Sequence, residues 1–179
     1  KINIRGKADS AAVKQAIGVA LPTEPNTVET GNNLAVLWLG PAEWMVVGPP
    51  NAEGAIEDCL NEALAGASIG VVDVTEGRTT IRVSGPMARD LLSMGCPLDL
   101  HPRSFGAGRC AQSSISRSPV ILHQVDEAGV YDIFIERSQS DYLWTWMETG
   151  GGPYGIAIAR EPETTAWRRP AKRKAKAGS

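Results

Sequence analysis

The chain has 179 residues and a mass of 19.0 kDa, enough for one domain of about 150 residues plus tails. With 42% hydrophobic and 21% charged residues it is not a disordered chain, and no apolar run is long enough to cross a bilayer. The net charge of −2 hides a basic C-terminal cluster, Arg168, Arg169, Lys172, Arg173, Lys174 and Lys176, so the rest is distinctly acidic and a nucleic-acid function is not expected.

The first residue is Lys1 rather than methionine, so some N-terminal sequence is expected to be missing, and Lys1 to Asp9 shows no secretory core. Ser10 is placed to cap a first helix, with Val13, Ile17 and Ala20 on one face. Two strand-like runs follow, Leu34–Leu39 and Trp44–Val47, joined by the turn Gly40-Pro41-Ala42-Glu43. Asn51 opens a second helix bearing Ile56, Leu60 and Leu64, with Gly66 just beyond its end. The runs Ile69–Val74 and Thr79–Val83 read as strands, the latter alternating polar and apolar residues like a half-buried antiparallel strand. Pro86 marks the first position of a third helix carrying Met87, Leu91 and Met94, closed by Gly95. Val120–Val125 and Val130–Ile135 form a second hairpin through Asp126-Glu127-Ala128-Gly129. Ser140 caps a fourth helix whose apolar stripe is Tyr142, Leu143, Trp146 and Met147, ending at Gly150.

Strands coming in pairs between helices predict an α+β domain with mostly antiparallel pairing and flanking helices, not a doubly wound parallel sheet. The alternation of one helix with two strands hints at a repeated unit, although no matching residues support it. The pattern fades from Pro153, so residues 1–152 are expected to form a single domain. Residues 153–179 are expected to form an extension with a disordered basic tail.

Candidate chemistry is sparse. Cys59, Cys96 and Cys110 are an odd set at wide spacing, as scattered reduced thiols of a cytoplasmic protein would be. Cys96, Asp99 and His101 lie close enough in sequence to offer metal ligands or a Cys/His nucleophilic pair. Pro97 and Pro102 favour a rigid structural loop there instead. His123 sits in an apolar run, where a satisfied half-buried histidine is the preferred reading. Gly150-Gly151-Gly152-Pro153 follows a helix, so its amides do not present a phosphate cradle. Gly85-Pro86 reads as a plain strand-to-helix turn lacking any Walker lysine. Asp73, Glu76 and Arg78 read as a turn with a local ion pair, or as a carboxylate clamp. Of Trp38, Trp44, Trp144, Trp146 and Trp167, Trp144 points away from the stripe of its helix. It marks either a protein contact or a single exposed ring.

Several phrases between Leu37 and Trp146 carry a resemblance. They are Leu37-Trp38-Leu39-Gly40-Pro41-Ala42-Glu43-Trp44, Val72-Asp73-Val74-Thr75-Glu76-Gly77-Arg78 and Val83-Ser84-Gly85-Pro86-Met87-Ala88. The most specific is Gly95-Cys96-Pro97-Leu98-Asp99-Leu100-His101-Pro102, followed by Gly108-Arg109-Cys110-Ala111-Gln112 and Ser138-Gln139-Ser140-Asp141-Tyr142-Leu143-Trp144. In these the chain resembles the gamma subunit of heterotetrameric sarcosine oxidase and related dehydrogenases of N-methylated amino acids. The resemblance implies a fold similar to the folate-binding domain of glycine-cleavage aminomethyltransferase. It also implies a non-catalytic subunit of a flavin-dependent complex with alpha, beta and delta chains, alpha being the expected direct contact. FAD, FMN, NAD, tetrahydrofolate and zinc are then expected on those partners, with no catalytic, cofactor or metal residue in this chain. The alternative is a free-standing tetrahydrofolate-binding protein like an aminomethyltransferase, which would need converging acid and base groups in a concave pocket.

Overall fold

Two antiparallel sheets stack face to face, and a pair of helices covers the outer side of each. The computed structural model of the chain describes residues 1–159 and 167–170. The first sheet contains β1 (Ile2–Arg5), β2 (Val28–Gly31), β3 (Leu34–Gly40), β4 (Glu43–Val47) and β5 (Gly70–Asp73), in the order β2-β3-β4-β1-β5. The second contains β6 (Arg78–Val83), β7 (Cys110–Ile115), β8 (Ser118–Gln124) and β9 (Tyr131–Glu136), in the order β6-β9-β8-β7. Helices α1 (Ser10–Ile17) and α2 (Glu53–Ala63) cover the first sheet; α3 (Ala88–Ser93) and α4 (Ser140–Gly151) cover the second. The α+β class with antiparallel pairing is therefore as the sequence leads one to expect.

The strand sequences explain the layering. In β4, Trp44 and Val46 point to the α1/α2 side, while Met45 and Val47 point to the opposite sheet. In β8 and β9, Val120, Leu122, Ile133 and Ile135 pack toward α3 and α4, while Ile121 and Phe134 meet Leu37 and Met45 across the sheet interface. Side chains alternate along a strand, so a strand covered on both faces must be apolar nearly throughout. Each fully buried aliphatic side chain contributes about 1.5–3 kcal/mol.

The element order shows a duplication. β1-α1-β2-β3-β4-α2 is followed, after β5, by β6-α3-β7-β8-β9-α4. Strand order matches too: β7, β8, β9 and β6 occupy in the second sheet the places of β2, β3, β4 and β1 in the first. The expected repeat is thus present, but its unit is one strand, a helix, a three-strand meander and a helix, occurring twice. The sheets join where β2 and β7 lie together. There the Cys110 N–H donates to Asn26 O at 2.9 Å, and the Val28 N–H to Gly108 O at 2.8 Å. At the other side β5 passes into β6 through the short turn Val74–Gly77.

Several local expectations are corrected. β1, β2 and β7 were not foreseen. Asp9, not Ser10, caps α1 by accepting from the Ala11 N–H; the Ser10 hydroxyl instead accepts from the Leu21 N–H at 3.0 Å. Ala20 lies past the helix, which stops at Ile17 with Gly18 in the left-handed conformation at φ 89°. Asn51 takes φ 64°, and α2 starts two residues later at Glu53. Pro86 precedes α3, whose buried residues are Ala88, Leu91 and Leu92, while Met87 and Met94 are exposed. Ser140 is the first residue of α4, with its hydroxyl donating to Arg137 O, and the helix runs through Gly150 to Gly151. Tyr142 is exposed and shares a 2.8 Å hydrogen bond with the Ser116 hydroxyl.

Trp167, in the stretch read from sequence as an extension, is buried in the first core cluster with residues of α1 and α2 such as Val13, Ile17 and Leu60. The Asn32 amide donates to Ile17 O at 3.0 Å and to Arg168 O at 3.1 Å, and Arg169 pairs with Glu62. The basic residues Lys172 to Lys176 lie outside the described residues.

Candidate functional site

The loop holding Cys96, Asp99 and His101 is tied to itself. The Asp99 carboxylate accepts from the Ser104 hydroxyl at 2.7 Å and from the His101 N–H at 3.0 Å, and these bonds hold it below the usual carboxylate range. His101 Nδ1 accepts from the Arg103 N–H at 3.3 Å. Cys96 is buried in the second core, its Sγ 3.9 Å from the Ser113 hydroxyl. Both Asp99 oxygens and His101 Nδ1 thus have local structural partners, and the thiol lies against Ser113. Among the described residues, no three His, Cys, Asp or Glu side chains gather as a metal site would require.

Asp73, Glu76 and Arg78 do not converge either. Asp73 accepts from the Thr75 N–H at 2.8 Å, closing the turn after β5. Glu76 pairs with Arg137 at 2.9 Å, both side chains largely exposed. Two of the glycines after Thr149 serve packing: a Cβ on Gly150 would lie 3.1 Å from Leu91 Cδ1, and one on Gly151 would collide with Ile156, while Gly152 has open space. Gly85, at φ +109°, accepts from the Ala88 N–H and leads into α3.

The second sheet carries a polar row that spacing along the chain does not reveal. Arg82 on β6, Asp132 on β9, His123 on β8 and Cys110 on β7 are successive cross-strand partners. Arg82 grips Asp132 in a two-pronged pair, Nε to Oδ1 at 2.6 Å and Nη2 to Oδ2 at 2.8 Å. His123 is buried, with no partner for Nε2; burial lowers its pKa, and the nearby Asp132 opposes that in part. Cysteine, histidine and aspartate in one line suggest a nucleophilic site, but the thiol chemistry is wrong for it. Burial pushes Cys110 up to about 11, and its sulfur lies 3.4 Å from both Thr27 O and Trp38 O. A thiol so held stays protonated and unreactive at neutral pH.

A large concavity lies elsewhere, a groove of about 890 Å³ along the outer edge of β6. Thr79–Val83 form one wall, residues 154–159 the other, with α3 and α4 between. Trp144 reaches it and is 39% exposed, as its place off the helix stripe predicts. Trp44 is buried and donates from Nε1 to Pro22 O at 2.9 Å, and Trp146 packs on Gly95. A smaller cavity of about 350 Å³ lies between α1, α2 and Arg169.

The sequence model of the sarcosine oxidase gamma subunit family matches residues 3–152. The chain belongs to that family. It is 36% identical over 129 residues to the sarcosine oxidase subunit gamma of an Arthrobacter species, a match covering 72% of this chain. The match spans 63% of that relative's length. A heterotetrameric sarcosine oxidase from Corynebacterium sp. U-96, solved in complex with pyrrole 2-carboxylate, includes a chain that superposes with a TM-score of 0.77 at 30% identity. That superposition covers 89% of this chain and 82% of the other. A glycine cleavage system aminomethyltransferase T from Bartonella henselae matches with a TM-score of 0.63 at 13% identity, over 82% of this chain and 42% of its own. The gamma-family fold is thus the aminomethyltransferase fold, as its sequence phrases imply. No helix among the described residues is long and apolar enough to cross a membrane.

Proposed function

We propose that this chain is the gamma-type subunit of a heterotetrameric, flavin-dependent oxidase that oxidatively demethylates sarcosine or a related N-methyl amino acid. In this reading it is a non-catalytic, structural subunit. Alpha, beta and delta chains hold FAD, FMN, NAD, tetrahydrofolate and zinc, and the alpha chain makes the direct contact in the cytoplasm. Residues 1–152 supply the domain and 153–179 an extension to it. The observation that carries the reading is the match to a chain of a heterotetrameric sarcosine oxidase over 89% of this one. Support comes also from the state of the polar groups. The Asp99–His101 loop is self-bonded, and Cys110 is a buried, protonated thiol.

The test is co-expression of the full chain with the three companion chains, followed by gel filtration and an activity assay on sarcosine. The expected result is stoichiometric incorporation, with amine oxidation in the four-chain complex and none from the isolated chain. Calorimetric titration of the isolated chain with tetrahydrofolate guards the alternative. Tight stoichiometric binding there would replace the structural reading with a folate-binding one.

A further inference from the structure

Among the described residues, the duplication leaves one strand position empty. In the first sheet, the strand after the second helix is β5, and it pairs antiparallel with β1. The counterpart of β1 in the second sheet is β6, which pairs with β9 on one side and, among the described residues, with no strand on the other. Gly155-Ile156-Ala157-Ile158 follows α4 much as Gly70-Val71-Val72-Asp73 follows α2, yet it takes no strand conformation. Ile156 is seated against Gly151 of α4 instead. Residues 154–159 are therefore the far wall of the groove rather than its contents.

The groove also gathers exposed apolar side chains. Nine large hydrophobic side chains are exposed among the described residues, and Met87, Trp144, Tyr154, Ile156 and Ile158 all line it. Its rim on α4 carries Asp141 and Glu148, while Arg82 on β6 is bonded to Asp132. An unpaired strand edge between apolar walls is the form of surface that accepts an extended segment as an added strand. A clustered apolar patch with a polar rim marks a protein contact.

We propose that the groove seats an extended segment of a larger companion chain, which hydrogen-bonds to β6 as the fifth strand of the second sheet. This rests on the gamma-subunit reading above. The chemistry of the segment follows from its walls. Alternate side chains are apolar and lie against Met87, Trp144 and Ile156, and a lysine or arginine at one end meets Asp141 and Glu148.

The experiment compares the isolated full chain with the four-chain complex by hydrogen exchange. It also measures assembly of three variants: Trp144→Glu, Ile158→Glu and, on the edge of the other sheet, Val72→Glu. The expected result is slower exchange of the residue 78–83 amides in the complex. Trp144→Glu and Ile158→Glu should each reduce incorporation at least tenfold, Val72→Glu should not, and all three isolated chains should melt like the wild type. Equal protection of β6 with and without companions means that residues 155–159 close the edge themselves, and overturns the proposal. So does loss of assembly in Val72→Glu alone, or a dimer of the isolated chain that Trp144→Glu dissolves. If the wild-type chain fails to enter any complex, the gamma-subunit reading itself falls, and the seat with it.

Discussion

A single methyl group added at Gly95 would stand 2.6 Å from Trp146 Cζ2 and 3.0 Å from the Ser116 amide nitrogen. The ring is held between α4 and the second sheet and cannot retreat freely, so Gly95→Ala should cost about 1–3 kcal/mol. Gly54, in α2, has open space around its Cβ position, so the same change there should stabilise by up to about 1 kcal/mol. Urea midpoints at constant slope would read both, and a harmless Gly95→Ala would show that the ring yields. His123 gives a prediction in pH. Burial lowers its folded pKa below the unfolded value of about 6.5, so the unfolded chain binds the extra proton between the two. Its contribution to stability is complete above about pH 6.5 and is lost as pH falls through the window between those values. His123→Gln should flatten the slope of stability against pH over that window; an unchanged slope means another group sets it. Neither residue was fully legible in sequence. Gly95 reads as a helix stop, but its crowding by Trp146 is a tertiary fact. His123 reads as half-buried, but its alignment with Asp132 and Cys110 depends on strand register.

At the scale of elements, what was legible is what carries its own pattern. The two hairpins, β3–β4 and β8–β9, announce themselves by apolar runs separated by turn residues. β2 is Val-Glu-Thr-Gly and β7 is Cys-Ala-Gln-Ser-Ser-Ile, polar enough to pass for loops. Both are sheet-edge strands that pair with β3 and β8, and the two buried side chains of β7, Cys110 and Ile115, stand at its ends with mostly polar residues between. β1 has the right alternation, Ile2 and Ile4 buried, but only four residues to display it. The segment around Trp167 was illegible for the opposite reason: its neighbours in sequence are basic and proline-rich, and only the folded first core offers the ring a place. Trp167→Ala should lower stability by about 3 kcal/mol, through lost burial of a ring that touches α1 and α2. Thermal melts would test this, and a change below about 0.5 kcal/mol would mean that the ring is only resting there.

Across the whole molecule, the face between the sheets decides whether two repeated units behave as one body. Leu37 and Met45 from one sheet meet Cys110, Ile121 and Phe134 from the other. Phe134 is fully buried in that contact, so Phe134→Ala should cost about 3–5 kcal/mol and be felt in both halves. Tryptophan fluorescence and circular dichroism should keep a common midpoint in the wild type, and divergent midpoints would show the halves unfolding separately. The position of the cysteines gives this question a built-in instrument. Cys59 belongs to the α1/α2 cluster, Cys96 to the α3/α4 cluster and Cys110 to the contact between the sheets. Cys96 and Cys110 can react with a maleimide only when their own layers open, whereas Cys59 also lines the cavity between α1 and α2, so the three alkylation rates are separate clocks. Cys110, the deepest of the three, would record how often the two repeats part company.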